Sequence, residues 1–211
     1  MRSRLLLALA LFTAPLCAAD LAGTYSVNGK NPNGTAYKGS LTIAQAGSAW
    51  KLNWKTGSES SGIGVELGDV LAVAVGGAQC APVAYQVAPE GGLVGVWTLP
   101  AGGTLASEQA TPGVGTTQGI AGDYVVNGNN LDGSPYKGAL SVHKESDHWR
   151  FSWRTGTNSE GYGIENDGRI GVSVGAPTCG VVLYRIGTDG SLKGNWKYRG
   201  TAGGTEDAAR S

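Results

Sequence analysis

Apolar and polar residues alternate with a period of two along most of this chain. Trp50, Leu52 and Trp54 fall on one face of a predicted strand, with Lys51 and Asn53 on the other. Such alternation is typical of β-strands with one buried face, and no stretch shows a long helical period. The pattern predicts seven strands in each half of the chain and a weaker eighth. Their inner faces are predicted to include Tyr25, Val27, Leu41, Ile43, Ile63, Val65, Leu67, Leu71, Val73, Val75, Val83, Tyr85, Val87, Leu93 and Trp97.

The chain is an internal duplication. Residues 22–97 align with residues 121–196 at a constant offset of 99, and all six tryptophans fall in matched pairs. A repeat of this kind predicts two homologous units. We expect a domain over 20–110, a linker over 111–118 and a second domain over 119–211.

The turns between the predicted strands are short and rich in Gly, Asn and Asp, as in "NLDG" and "TDG". Such turns favour antiparallel hairpins over β-α-β units. A meander of seven or eight strands with one apolar face must close or fold over to bury that face. The predicted fold class is therefore all-β, with two tandem antiparallel meander domains. Each is a small barrel of seven or eight strands, and a flattened sandwich is the alternative.

The hairpin that contains Trp50 and Trp54 raises the question of a binding site. With Trp54 opposite Ile63, the outer face would pair Lys51 with Glu66, and Arg150 with Glu165 in the second copy. The glutamates then serve strand pairing, and the tryptophans point inward. The preceding hairpin would place Gly39 opposite Trp54, and Gly138 opposite Trp153, giving the indoles room.

The inward tryptophans allow two interpretations. A narrow eight-stranded barrel is filled by its own side chains, which makes them core residues. A partly open barrel would instead let them line a small apolar ligand. The candidate ligand-binding residues are Trp50, Trp54, Trp97, Trp149, Trp153 and Trp196.

The outer face of the first copy carries an apolar patch. Ala72, Ala74, Ala84, Val94 and Val96 stand where the second copy has more polar or differently sized residues. Apolar patches mark contacts. The partner is either the other repeat or an external protein that binds at Val94 and Val96.

Residues 1–19 have the features of a signal peptide, with Arg2 and Arg4 before an apolar run and small residues before Asp20. The run is too short for a membrane span. We therefore expect an exported protein, periplasmic or extracellular. The whole chain carries 16 basic and 16 acidic residues. Without Arg2 and Arg4 the net charge is about −2, which makes nucleic acid and anionic membranes poor partners.

Cys80 and Cys179 are the cysteines that remain after residue 19, at equivalent positions of the two copies. In an oxidising compartment they can form a disulfide that joins the halves. They can equally stay as two buried thiols at matching strand ends.

Candidate catalytic and metal-binding residues are few. His143 and His148 flank an acidic loop of the second copy, but no third metal ligand accompanies them. The turn Asn129–Gly133 has part of a calcium-loop pattern without its terminal glutamate. No nucleophile elbow or phosphate loop occurs. We expect no metal, no cofactor and no enzymatic activity.

The repeat pattern resembles exported bacterial proteins labelled fibronectin-binding, and both copies carry it. In the second copy the matching residues are Gly122, Tyr124, Asn127, Gly128, Asn130, Gly133, Tyr136, Gly138, Trp153, Gly156, Gly161, Gly163, Asp189, Gly190, Leu192, Gly194 and Trp196. The resemblance implies an exported, β-rich binding protein.

These observations predict a non-enzymatic binding or adhesion protein that acts on an unknown protein partner. One alternative is a carrier of a small apolar ligand in a barrel interior lined by tryptophan. The other is a hydrolase with a site between the repeats, around Glu66, Glu165 and His148.

Overall fold

The computed structural model describes residues 20–113 and 119–211, and these residues contain sixteen strands. The signal peptide predicted over 1–19, and residues 114–118 of the predicted linker, lie outside the described residues. The first eight strands are β1 Gly23–Lys30, β2 Ala36–Ala46, β3 Ala49–Lys55, β4 Glu59–Leu67, β5 Val70–Val75, β6 Cys80–Val87, β7 Leu93–Trp97 and β8 Ala106–Pro112. The second eight are β9 Gly122–Asn129, β10 Pro135–Glu145, β11 His148–Arg154, β12 Asn158–Asn166, β13 Arg169–Gly175, β14 Gly180–Ile186, β15 Leu192–Tyr198 and β16 Gly204–Arg210.

The strands form two closed antiparallel barrels of eight strands each. The first barrel has the order β1-β16-β15-β14-β5-β4-β3-β2, and the second has the order β10-β11-β12-β13-β6-β7-β8-β9. This confirms the predicted all-β class and the two small barrels. Each strand pairs along both edges, so closure satisfies the backbone hydrogen bonds that an open edge would expose.

The barrels do not follow the two repeats, because the chain exchanges strands between them. The first barrel takes β1–β5 from the first repeat and β14–β16 from the second, while β6–β13 build the second barrel. The predicted barrel domains over 20–110 and 119–211 are therefore wrong as structural units. The physical reason is the duplication itself. Because β6 and β14 are equivalent strands, β14 can pair with β5, and β6 with β13, using the register of an unexchanged barrel.

The chain crosses between the barrels at two equivalent connections, after β5 and after β13. A disulfide joins them, with 5.6 Å between the Cα atoms of Cys80 and Cys179. Of the two states predicted for these cysteines, the structure shows the bonded one. Both connections need glycine where they turn. Gly76 has a φ of 129°, and a Cβ there would lie 2.8 Å from the sulfur of Cys80.

The apolar outer patch predicted on the first repeat packs mainly against the other barrel. A buried cluster, which we call the seam, lies between the barrels and consists of Val65, Val70, Ala72, Ala84 and Leu183. Val96 packs on the seam, whereas Val94 is 40% exposed. Val94 and Val96 therefore do not form one exposed patch, and the bulk of the apolar surface is covered by the molecule itself.

The register of the Trp50–Glu66 hairpin differs from the predicted one. Lys51 pairs with Ile63, and Trp54 pairs with Ser60, because the turn Thr56-Gly57-Ser58 is shorter than expected. This shift covers an odd number of residues, so it moves every side chain of β4 to the opposite face. Gly62, Gly64 and Glu66 face the interior, and Val65 faces the seam. The predicted inward positions of Ile63, Val65 and Leu67 are wrong.

Two further pairings were predicted incorrectly. Trp54 lies opposite Leu41, so Gly39 is not its partner, although this shift by two residues keeps the tryptophan inward. In the strand register Lys51 lies opposite Ile63, and Glu66 lies opposite Leu71. In the second copy Arg150 forms ion pairs with Glu145 and Glu160, and Glu165 accepts a hydrogen bond from the backbone N–H of Gly168.

Candidate functional site

Each barrel contains one buried glutamate on its inner face. Glu206 of β16 is 5% exposed in the first barrel, and Glu108 of β8 is 4% exposed in the second. Both strands alternate strictly, with small residues on either side of the glutamate on the inward face. A carboxylate is rarely buried without partners, because the loss of hydration is expensive. The neighbours of these glutamates therefore decide their function.

In the first barrel, two tyrosines and a tryptophan donate hydrogen bonds to Glu206. Trp54 Nε1 lies 2.8 Å from Oε1, the Tyr37 hydroxyl lies 2.8 Å from Oε2, and the Tyr184 hydroxyl also donates to Oε1. Trp196 Nε1 donates to the Tyr37 oxygen at 2.9 Å. The carboxylate thus accepts three hydrogen bonds, which is the way a buried anion is stabilised.

The second barrel repeats this arrangement with residues from the opposite repeats. Trp153 Nε1 lies 3.0 Å from Glu108 Oε1, the Tyr136 hydroxyl lies 2.7 Å from Oε2, and the Tyr85 hydroxyl donates to Oε1. Trp97 Nε1 donates to Tyr136 at 3.2 Å. Each barrel therefore holds one glutamate, two tyrosines and two tryptophans in a single hydrogen-bonded network.

Glycines explain how the tyrosines reach the carboxylate. Five residues of the first barrel form a row across neighbouring strands, in the order Tyr37, Gly29, Glu206, Gly194 and Tyr184. Each tyrosine ring lies over the adjacent glycine, where an added Cβ would overlap the ring. The missing side chains let both hydroxyls lean toward the glutamate from opposite sides.

The second barrel has the matching row of Tyr136, Gly128, Glu108, Gly95 and Tyr85. Gly95 lies beneath the ring of Tyr85, as Gly194 lies beneath the ring of Tyr184 in the first barrel.

The tyrosines remain protonated donors over a wide pH range. Burial raises the pKa of the Tyr37 hydroxyl far above its ordinary value, and the negative charge of Glu206 raises it further. The pKa of Tyr136 is raised for the same two reasons, with Glu108 as the charge. Burial and the charge of the neighbouring glutamate also raise the pKa values of Tyr184 and Tyr85. An ionised phenol beside a buried carboxylate would place two like charges together, so the proton stays on oxygen.

Both networks lie at the base of an open cavity at one end of their barrel. The first mouth is a cavity of about 250 Å³, and the second mouth is a cavity of about 350 Å³. The same residues recur at equivalent places in both. These pairs are Asn31/Asn130, Tyr37/Tyr136, Trp54/Trp153, Thr56/Thr155, Ser60/Ser159, Val75/Val174, Val182/Val83, Trp196/Trp97 and Glu206/Glu108.

The mouths differ mainly at the rim. Tyr198 of the first mouth is 38% exposed, and Leu99 takes its place in the second mouth with 51% exposure. No lysine, arginine or histidine lines either mouth among the described residues. The glutamate is therefore the charged group of each mouth, and hydrogen-bond donors but no cation of the protein compensate it.

The predicted tryptophans divide into two groups. Trp54, Trp97, Trp153 and Trp196 belong to the mouths, whereas Trp50 and Trp149 do not. Trp50 lies toward the opposite end of its strand and donates from Nε1 to Glu66 Oε2 at 3.0 Å. Trp149 carries Lys144 above its ring, with the ammonium 4.4 Å from the ring centroid.

The remaining candidates lie elsewhere. The cavity lined by Glu165 includes neither Glu66 nor His148. The cavity lined by His148 includes neither Glu66 nor Glu165. Within the described residues, no group of three or more His, Cys, Asp or Glu side chains could hold a metal ion. The Asn129–Gly133 turn is closed by Asp132, whose Oδ1 accepts a hydrogen bond from the backbone N–H of Ser134 at 2.9 Å.

Sequence reasoning missed Glu108, Glu206 and the four tyrosines of the networks as site residues. The signal was present. The four tyrosines fall in two pairs at the repeat offset, and an acidic residue follows each copy's last tryptophan. The glutamates were hidden because the second copy is one residue shorter between Trp196 and Glu206 than the first is between Trp97 and Glu108. An alignment without gaps therefore matches Glu108 to Asp207.

No helix of membrane-spanning length and hydropathy occurs in the parts of the chain that the structure describes. In comparisons with protein-family models, with curated proteins and with solved structures, no match to this chain was found.

Proposed function

We propose that this protein is an exported, non-enzymatic binding protein with two equivalent small-ligand sites, one in each barrel mouth. Each site takes a ligand with a cationic or strongly hydrogen-bond-donating head group, which contacts the buried glutamate. The apolar remainder of the ligand lies against the tryptophans and the rim. This makes the carrier interpretation the best supported of the three, with a more polar ligand than the tryptophans alone suggest.

The observation that carries the proposal is the buried carboxylate without a cation. A carboxylate offers about four lone-pair sites, and three of those on Glu206 are used. The free position on Oε2 accepts from a ligand without breaking the network. Aromatic faces attract cations as well, and tryptophan does so most strongly. A cationic head group therefore gains from the carboxylate and from the rings of Trp54 and Trp196 together.

The duplication supports a binding function over a purely structural one. The residues that line both mouths include Asn31, Thr56 and Ser60, whose side chains are polar and lie outside the hydrogen-bonded network. Each has an identical counterpart in the second mouth. A filled structural core requires no such polar wall at an open end, whereas ligand pockets combine apolar surface with a few placed polar groups.

Titration with small cations tests the proposal, followed by tryptophan fluorescence because four of the six tryptophans line the mouths. The panel is tetramethylammonium, choline and guanidinium, with neutral molecules of similar size as controls. We expect saturable quenching by a cation and two bound ligands in native mass spectrometry. Because charge-assisted hydrogen bonds are lost, Glu206→Gln weakens binding at the first mouth about 10- to 100-fold.

The matched variant Glu108→Gln acts at the second mouth, and the double variant binds at neither. Glu66→Gln is the control, because Glu66 also accepts from a tryptophan but outside the mouths. The proposal is overturned if no cation of the panel saturates the protein, or if the double variant binds as the wild type does.

A further inference from the structure

A smaller cavity lies beside the disulfide, in the second half of the chain. It measures about 150 Å³ and is bounded by residues of β11, β12 and β13 and by the connection after β13. Its lining includes His148, Arg150, Tyr162, Ser173 and Cys179. We call it the seam pocket. It is separate from both mouths, because it shares no lining residue with either of them.

Four buried polar atoms without a hydrogen-bond partner belong to residues that line the seam pocket. They are His148 Nδ1, Arg150 Nε, the Tyr162 hydroxyl and the Ser173 hydroxyl. Among the described residues these are all the buried side-chain nitrogen and oxygen atoms that lack a partner, and all four residues line this pocket. Tyr162 is 5% exposed and Ser173 is 3% exposed. A buried polar group without a partner destabilises the folded protein, so four at one place require an explanation.

The neighbouring charges leave these donors free to act on a ligand. The terminal nitrogens of Arg150 are held by Glu145 at 3.4 Å and by Glu160, which leaves Nε–H uncommitted. His148 Nε2 lies 3.3 Å from Glu145 Oε2, and the ring packs edge-on to Tyr162 with 4.9 Å between centroids. His148 Nδ1 is 3.6 Å from Asp147 Oδ1, too far for a hydrogen bond. Arg199 adds a second guanidinium to the lining, and the carboxylates of Glu145 and Glu160 also line the pocket, so its two guanidinium charges are matched by two carboxylates and the ligand is held by the uncommitted donors.

The first half of the chain has no equivalent set. At the repeat offset, Ala49 stands for His148, Ile63 stands for Tyr162 and Ala74 stands for Ser173. Ala74 is 1% exposed and packs with the disulfide. The fold therefore forms with apolar residues at these positions. The polar set of the second half is an addition to the shared architecture.

We propose that the seam pocket binds a small oxyanion, such as inorganic phosphate, sulfate or a short carboxylate. Arg150 Nε and the two hydroxyls are hydrogen-bond donors, and imidazole can donate as well. A ligand that satisfies all four at once is rich in acceptors. The volume is that of about five water molecules in the liquid, which accommodates a group of this size.

Two-dimensional NMR of the intact protein tests the proposal, with sodium phosphate, sodium sulfate and sodium acetate titrated separately against sodium chloride at equal ionic strength. We expect one of the oxyanions to shift the His148 and Tyr162 resonances saturably at concentrations below about 10 mM. The oxyanion that binds most tightly identifies phosphate, sulfate or carboxylate as the preferred chemistry.

Variants locate the site. Tyr162→Phe and Ser173→Ala each remove one donor and weaken binding about tenfold, and together they abolish saturation. The double variant Tyr162→Ile/Ser173→Ala introduces the residues of the first half, and we expect it to fold and not to bind. Tyr198→Phe is the control at the first mouth. The proposal is overturned if no oxyanion shifts these resonances saturably in the wild type, and ordered water alone then explains the pocket. It is also overturned if Tyr162→Ile/Ser173→Ala binds the oxyanion as tightly as the wild type does.

Discussion

The first and second mouths carry the same glutamate, tyrosines and tryptophans, whereas the two halves of the seam carry different residues. Trp54 and Trp153 occupy equivalent places, but Leu183 stands on the seam where the first half has Ala84. Each mouth also takes residues from both repeats, because the strands are exchanged. The difference teaches that the requirement at the mouths applies to both barrels, while the apolar seam accepts side chains of different size at equivalent positions.

Removal of the disulfide tests how much the cross-link between the two connections contributes to the stability of the molecule. We expect replacement of Cys80 and Cys179 by alanine to lower the free energy of unfolding by about 2–5 kcal/mol, because the cross-link closes a long loop of the unfolded chain. Urea denaturation followed by tryptophan fluorescence measures the loss. Since both barrels contain strands from both repeats, they should unfold in one transition. Retention of full stability after the replacement would show that the exchanged strands hold the barrels together without the cross-link.

Leu183 tests the asymmetry of the seam. Its side chain is 5% exposed and packs among Val65, Val70 and Ala72. We expect Leu183→Ala to destabilise the protein by about 2–4 kcal/mol, because it leaves a cavity. Thermal and urea unfolding measure the effect. The matched control is Val94→Ala on the exposed outer face, which should change stability by less than about 0.5 kcal/mol. An equal effect of the two variants would contradict the assignment of Leu183 to the seam.

The strand pattern could be predicted from the sequence because alternation depends on local burial. Trp54 and Tyr85 were correctly placed on inner faces, and the weaker eighth strand was expected. The face of β4 could not be predicted, since a three-residue turn at Thr56-Gly57-Ser58 and a longer turn both suit the same residues. A difference of this kind moves Val65 from the barrel interior to the seam.

The strand exchange could not be predicted, because β6 and β14 present the same pattern to either partner. The two exchanged pairings, β5 with β14 and β6 with β13, have equivalent registers, so the strand sequences alone do not distinguish the exchanged form from an unexchanged one. The site was missed for a related reason. Glu206 and Tyr37 belong to different repeats and meet only through β1 and β16.

The glycines beneath the tyrosines test whether the mouths are equivalent. We expect Gly194→Ala in the first barrel and Gly95→Ala in the second to destabilise the protein by similar amounts, about 1–3 kcal/mol, because the added methyl overlaps Tyr184 or Tyr85. Urea unfolding measures both. Tyr184→Phe separates the ring from its hydroxyl, and should weaken the network without displacing the ring. A large cost in one barrel and none in the other would contradict the equivalence of the mouths.

The smallest expected effect on stability is a dependence on pH. It comes from an ion pair of Asp69, a residue that the second copy lacks. Arg169 Nη2 lies 2.6 Å from Asp69 Oδ2, and hydrogen bonds from Arg169 hold the pKa of this carboxyl below its ordinary value. The second copy has Gly168 in place of Asp69. A lowered folded pKa means that the stabilisation is complete above the unfolded pKa of about 3.9 and is lost as pH falls through the folded value. Between about pH 5 and pH 3 the wild type should therefore lose more stability than Asp69→Asn, measured by urea unfolding at each pH. Other carboxyls titrate in both proteins and cancel in the difference.

Glu59→Gln is the control, because its ion pair with Lys55 is largely exposed and should contribute little. Parallel pH profiles for the wild type and Asp69→Asn would mean that this contact between the barrels does not stabilise the fold.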